Sequence, residues 1–347
     1  MKFVSRRAGS RTKRRSRSVR TTAWTTTAGF AAIAVGGCLL YARLAGADES
    51  PNVDAALGDD RPARTVAGAL NILLLGSDSR AGKNGDYGQD LGGARSDTAM
   101  LVHLARGRSK AVVVSVPRDT MVDRPNCPLP GGGSSRAEGP VMFNTAYTVG
   151  GLICAAKTVE HLAGVRVDHV LDVDFTGFKK VVDAVDGVRI TLDKPLHDPY
   201  SHLDLDSGTQ RLNGEQALGL VRTRHGVGDG SDLGRIRLQQ QFMTALVTEL
   251  KDASLLTDPL KLYKLVNAVA GAITADEQLN SPGALLALAL SLGRLNPGDI
   301  DFRTLPVVPY PRDHDRVVAK QPEAALLWQA VRDDTAPPAR QEQAQHG

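Results

Sequence analysis

Three polar residues, Asp232, Arg235 and Gln239, stand at i, i+3 and i+7 in "SDLGRIRLQQQF". On a helix that spacing places them on one face. The same face continues through Phe242, Met243, Leu246 and Leu250, an apolar stripe. The polar residues therefore face inward, where each needs a partner, and an anionic ligand would supply one. An ordinary helix start with polar residues in its first turn is the plainer alternative. Just upstream, Arg222 and Arg224 flank Thr223; in an extended segment both would point the same way. The Gly-rich "HGVGDGS" between them and the helix lets the chain double back toward a helix N-terminus, which favours anions.

Further charge is spread over three short segments: "GSDSR" with Asp78 and Arg80, "ARSD" with Arg95 and Asp97, and "PRDT" with Arg118. Two carboxylates suit a Mg²⁺ ion that completes its octahedron with water and phosphate oxygens. Arginine is the planar fork that fits phosphate. Asp78, Asp97 and the arginines together suggest a metal-bound pyrophosphate, with surface ion pairing as the competing explanation. His225 reads as a loop residue and His103 as a packed one, and neither has metal-ligand spacing. The chain has no G-x-S-x-G and no P-loop.

These segments must be brought together by the elements around them. Apolar runs "LNILLL", "TAMLVHL", "KAVVVSV", "DHVLDVD" and "GVRITL", with a weaker "DFRTL", read as strands. Helical patterns lie at 152–162, 176–185, 214–221, 233–250, 259–273 and 284–292. The expected fold is α/β: a single α/β/α domain with a central mixed sheet covered on both faces. The turn "ARGRS" is too short for anything but an antiparallel hairpin. With the first strand antiparallel beside that hairpin, Asp78, Arg80, Asp97 and Arg118 share one sheet edge.

The 347 residues carry a net charge of +4, but residues 1–20 hold nine Lys/Arg and no acid. The remainder, 33 basic against 38 acidic residues, sums to −5. The folded part is thus mildly acidic, which argues against nucleic acid as a partner. Residues 21–44 open with 22 residues free of charge, "TTAWTTTAGFAAIAVGGCLLYA". As a helix this spans roughly 33 Å, enough for a bilayer core. The basic residues in front place the N-terminus in the cytoplasm and the rest outside, with the chain held in the cell membrane by a single pass. The rival is a cleaved signal peptide ending at Ala45-Gly46-Ala47. Residues 45–66 read as a linker, 67–335 as the folded domain and 336–347 as a disordered tail. In an oxidising compartment Cys127 and Cys154 are expected to form a disulfide.

The segments "ILLLGSDSR", "RSDTAMLVHL", "VSVPRDT", "FNTAYTVGG", "VDFTGFKKVVDAVDGV" and "LNGEQALGLVRTRH…SDLGRIRLQQQF" occur in this order. Together, over roughly residues 70 to 250, they closely resemble the LytR–CpsA–Psr family of membrane-anchored cell-envelope proteins. The resemblance implies a Mg²⁺-dependent phosphotransferase (Mn²⁺ being the substitute ion) that moves a glycopolymer from a polyprenyl pyrophosphate or phosphate carrier to peptidoglycan. It assigns Asp78 and Asp97 to the metal and Arg80, Arg95, Arg118, Arg222 and Arg224 to the phosphates. Arg118, Asp232, Arg235 and Gln239 form the catalytic set, with Asp232 as the candidate base and Asp119 as the alternative, or as a turn residue. Phe175, Phe178 and Val182 would line a lipid tunnel or belong to ordinary core. Two places depart from the family pattern: Met142 stands where a Lys is often found, and Leu238 where an Arg is. Arg237, off the Asp232 face, takes no catalytic role. The competing functions are a lipid-pyrophosphate hydrolase and a non-catalytic glycan-binding module. A membrane-tethered DNA-binding regulator is disfavoured, since the basic tail holds no helix-turn-helix.

Overall fold

The structure is a computed structural model that describes residues 50–77, 96–223, 232–252, 258–292 and 295–339. The basic tail and the apolar stretch expected to span a membrane lie outside the described residues, as does the C-terminal tail from residue 340. Among the described residues no helix is long and apolar enough to cross a membrane.

A short helix α1 (Val53–Leu57) leads into strands β1 (Leu70–Ser77), β2 (Ser96–Leu104) and β3 (Ala111–Val116). β1 pairs antiparallel with β2, and β2 with β3, as the short turn requires. A small hairpin, β4 (Met121–Arg124) and β5 (Glu138–Met142), precedes α2 (Thr145–Ala163). β6 (His169–Val173) then lies parallel to β1. A crossover through helix α2 is what a parallel neighbour needs.

Next come α3 (Phe175–Ala184), β7 (Val188–Leu192), the hairpin β8 (Leu196–Asp198) and β9 (Leu203–Leu205), β10 (Gly208–Leu212) and α4 (Gly214–Arg222). The chain continues through α5 (Asp232–Asp252), α6 (Pro259–Ala270), β11 (Ile273–Ala275) and α7 (Pro282–Leu292). It ends with β12 (Ile300–Thr304), the hairpin β13 (Val307–Tyr310) and β14 (Asp313–Ala319), and α8 (Glu323–Arg332). The central sheet has the order β11-β6-β1-β2-β3-β12, with β12 parallel to β3 and β11 antiparallel to β6. The fold is a single mixed α/β domain.

Both faces of the sheet are covered. Leu73 and Leu75 of β1 with Leu101 of β2 pack on one face against Val159 of α2 and Trp328 of α8. On the other face Leu74 and Met100 meet Met243 of α5. That alternation is why the strands read as apolar throughout rather than every second residue.

Two stretches differ from the sequence expectation. The segment expected as a linker docks on the domain from residue 50 onward. Arg61 there has a fully buried side chain and pairs with Glu160 of α2, Nη2 to Oε1 at 2.6 Å. A charged residue in a proline-containing run gives no hydrophobic signal, so its burial is invisible in the sequence. Second, α2 begins at Thr145 rather than 152, because Gly150 and Gly151 leave helical geometry inside it and interrupt the pattern. The kink has a packing cause: a Cβ on Gly150 would sit 2.6 Å from the Pro128 carbonyl oxygen. Pro128 belongs to the loop tied down by the disulfide Cys127–Cys154, which spans 27 residues. In the chain-entropy account that closure contributes about 3.5 kcal/mol.

Candidate functional site

The C-terminal end of β1, the N-terminal end of β2 and the C-terminal end of β3 meet at one sheet edge. Gly76 pairs with Thr98 and Ser77 with Ser96, so Asp97 is the extra residue of a β-bulge. A bulge re-aims a side chain and loosens the ladder around it. Asp97 uses this to receive Arg118, whose Nη1 donates to its Oδ1. Arg118 comes from the turn after β3, and its Nε also lies 3.4 Å from Asp119 Oδ2. Asp119 is in turn 3.5 Å from Arg316 of β14. Asp119 thus sits between two guanidiniums and pairs with Arg118 in the turn after β3.

α5 supplies the inward stripe. Arg235 and Gln239 are buried at 3% and 6% exposure, in line with Phe242 and Leu246. Their partners are protein groups: Arg235 Nη2 donates to the Asp97 carbonyl at 3.0 Å. Gln239 Nε2 donates to Thr98 Oγ1 at 3.0 Å and to the Val221 carbonyl at 3.1 Å. Beside the anionic ligand expected from the sequence, the protein supplies partners of its own: the bulge, which breaks ladder pairing at Asp97, frees a carbonyl for Arg235, and the last turn of α4 offers another to Gln239. These two residues thus bolt α4, α5 and β2 together, and both also face the cavity described next. Arg237 is exposed and Leu238 is buried.

Beneath this edge lies a cavity of about 490 Å³, within the range of small-molecule sites. Its floor is the sheet face carrying Leu74, Met100 and Leu171, and its walls include Phe178, Val182, Phe242 and Leu246. Phe178 and Phe242 face each other with ring centroids 5.3 Å apart. The cavity's charged and amide lining is Asp97, Asp174, Asp198, Arg222, Arg235 and Gln239. The Arg222 guanidinium lies 4.5 Å from the centroid of the Phe175 ring, a cation–π contact that holds it at the cavity wall. Phe175, Phe178 and Val182 therefore line this cavity and pack in the core as well.

The structure brings Asp97, Arg118 and Arg235 together in direct contact, with Gln239 one residue along at Thr98 and Arg222 on the same cavity. Asp78, Arg80, Arg95 and Arg224 lie outside the described residues. Asp232 is the first residue of α5, and its side chain lies outside the described set. Among the described residues, no group of three His, Cys, Asp or Glu side chains gathers to hold a metal.

Sequence reasoning missed Asp172, read only as part of a strand. Its Oδ2 accepts from Ser77 Oγ at 2.9 Å and from Tyr147 Oη at 2.8 Å. Burial pushes this carboxyl above the usual carboxylate range, against the two hydrogen bonds and with help from Asp174. A raised folded-state pKa favours the fold below the unfolded value and loses that contribution as pH rises through the folded one. Asp172→Asn should therefore gain stability relative to the native chain as pH rises above about 4, the unfolded carboxyl value, read from urea midpoints at each pH. A pH-independent difference would show that the Asp172 carboxyl titrates alike in the folded and unfolded chain.

The LytR_cpsA_psr family profile matches residues 40–333. The chain is 34% identical over 292 residues to the probable cell wall biosynthesis protein LcpB of Corynebacterium glutamicum, covering 82% of this chain and 64% of that protein. It is 33% identical over 238 residues to the polyisoprenyl-teichoic acid–peptidoglycan teichoic acid transferase TagT of Bacillus subtilis, covering 65% of this chain and 68% of that one. The chain spans less than two thirds of LcpB and half of the related C. glutamicum cell wall biosynthesis protein LcpA. Among solved structures, a LytR-Csp2A-Psr enzyme from Actinomyces oris superposes with a TM-score of 0.60 at 22% identity, over 80% of this chain and 94% of that one. At that identity the likeness speaks for the fold.

Proposed function

This chain belongs to the LytR_cpsA_psr family, and on that premise we propose that it transfers a glycopolymer from a polyprenyl pyrophosphate carrier to a sugar hydroxyl of peptidoglycan. One observation carries the reading: an apolar cavity of about 490 Å³ is continuous with a rim bearing Arg222, Arg235 and Asp97. An apolar body with Arg222 and Arg235 among its polar lining groups offers an amphiphile an apolar bed for its chain and guanidiniums for an anionic head. A relative named as a polyisoprenyl-teichoic acid transferase is consistent with such a ligand.

In this mechanism the prenyl chain lies between the sheet and α3–α5, which fixes the pyrophosphate at the sheet edge. Arg118 and Arg222, joined by Arg80, Arg95 and Arg224, neutralise its charge. The acceptor hydroxyl oxygen bonds to the glycan-side phosphorus, the phosphoanhydride bond breaks, and prenyl phosphate departs with the bond's electrons. Asp232 is the group proposed to take the hydroxyl proton. Positioning and charge neutralisation do most of this work, since phosphoryl transfer needs little covalent help from the protein.

Asp97 is an oxygen donor displaced onto the cavity wall by its bulge, beside Ser77, and Asp78 follows Ser77 in sequence. Carboxylates of this kind fit a hard divalent cation, Mg²⁺ or Mn²⁺. When bound, it would offset charge on the phosphate oxygens. The Cys127–Cys154 disulfide fits an oxidising compartment, in line with a catalytic domain outside the membrane and residues 21–44 as its anchor.

The test uses the full chain with a short-chain prenyl-pyrophosphate glycan, Mg²⁺ and peptidoglycan oligomers, read by mass spectrometry. Transfer predicts a glycan–phosphate–peptidoglycan adduct, lost on chelation with EDTA. Released prenyl phosphate without adduct would make the chain a hydrolase. Bound lipid without turnover would make it a binding module.

A further inference from the structure

Tyr200 is 80% exposed, the highest value for a large apolar side chain among the described residues. It nevertheless lines the cavity. It sits in the turn between β8 and β9, and that turn is fixed rather than loose. Asp198, 1% exposed, accepts the Tyr200 backbone N–H on Oδ1 at 3.0 Å. Its backbone carbonyl accepts the Ser201 N–H at 3.2 Å. The inner side of the hairpin, Leu196, Ser201 and Leu203, is buried. It beds on α4 at Gly219, where a Cβ would meet Ser201 O at 3.0 Å and Leu203 Cδ1 at 3.1 Å.

Asp198 also sets where Tyr200 stands relative to the charged rim. Its Oδ2 accepts from Thr223 Oγ1, and Thr223 directly follows Arg222. One buried carboxylate therefore ties the tyrosine turn to the arginine segment. Tyr200 and Arg222 line one cavity with the apolar residues, so an amphiphile whose head sits at Arg222 would carry its next group past the tyrosine turn. The group that follows a pyrophosphate on the carrier is a sugar.

We propose that Tyr200 is a sugar platform, on which the pyranose attached to the pyrophosphate lays the C–H face of its ring. A pyranose offers an apolar face of axial C–H groups, and the face of a phenol ring is electron-rich and attracts them. The fixed turn holds the Tyr200 backbone in place before the ligand arrives, so only the ring's own torsions are ordered on binding. The inference rests on the prenyl-pyrophosphate reading of the cavity.

The test measures binding of two probes to the full chain in detergent: a short-chain prenyl pyrophosphate, and the same lipid with one N-acetylhexosamine on its terminal phosphate. The native chain should prefer the sugar-bearing lipid. Tyr200→Ala should weaken that lipid by roughly tenfold, the upper end of an aromatic stacking contact, and leave the bare lipid unchanged. Tyr200→Trp should keep the preference. Equal weakening of both lipids would make Tyr200 part of the lipid path and overturn the platform. No change with either would overturn it while leaving the cavity reading intact. A native chain that binds neither lipid would overturn the cavity reading, and the platform with it.

Discussion

Arg118→Ala should lower adduct formation by about 10²- to 10³-fold, the loss typical of one transition-state charge donor. The guanidinium comes from a tight turn after β3, meets Asp97 and is oriented by Asp119. It is thus aimed at the cavity edge by two carboxylates on different elements. Both partners keep appreciable solvent contact, with side chains 22% and 33% exposed, so the pair itself is worth little in stability, up to about 1 kcal/mol. The variant should therefore fold, with a urea midpoint close to the native one, and fail in turnover. Arg118→Lys should recover only part of the rate, because an ammonium cannot form the planar fork. A rate within a few-fold of native in Arg118→Ala would remove this residue from the site. It would also shift attention to Arg222, held separately on Phe175.

The largest stability effect is expected at Arg61. Its Nε and Nη2 both reach Glu160, whose own Oε1 also accepts the Val167 backbone N–H at 2.8 Å. Arg61 in addition donates to the Val167 carbonyl and to Asp54. Glu160 is 3% exposed. Removing the guanidinium leaves that carboxylate buried with one backbone donor, and breaking a buried pair in this way costs about 3–5 kcal/mol. Arg61→Met should show this loss in denaturant unfolding. Adding Glu160→Gln should return part of it, since a neutral amide is cheaper to bury. Additive losses in the double variant would mean that the two side chains do not act as a pair. A chain cut at residue 67 should suffer as Arg61→Met does, and one cut at residue 50 should not.

The central β1–β2–β3 order and its shared edge are legible in the sequence because they rest on apolar runs and one very short turn. α5 is legible for the same reason, its buried stripe being long and periodic. What escapes the sequence has a different physical character. The Asp97 bulge depends on the register between two strands, and no local pattern encodes it. Asp172 and Arg61 are ionisable residues buried beside partners 95 and 99 positions away, so their own neighbours in the chain carry no trace of it. The β8–β9 and β13–β14 hairpins are short and half polar, too brief for periodicity to distinguish them from loops. Gly150 and Gly151 hid the first two turns or so of α2 by marking a kink that looks like an end.

The position of β12 beside β3 sets an order of events for a chain made from its N-terminus. All six residues of β3, "AVVVSV", are buried in the finished fold, yet one of its two edges is covered only by residues 300–304. Until those residues exist, a β-branched, uncharged strand presents unpaired backbone groups, the features that template association between chains. A chain ended before residue 300 should therefore form aggregates rather than a smaller soluble domain. The nascent protein depends on its last third to close what its first third opens.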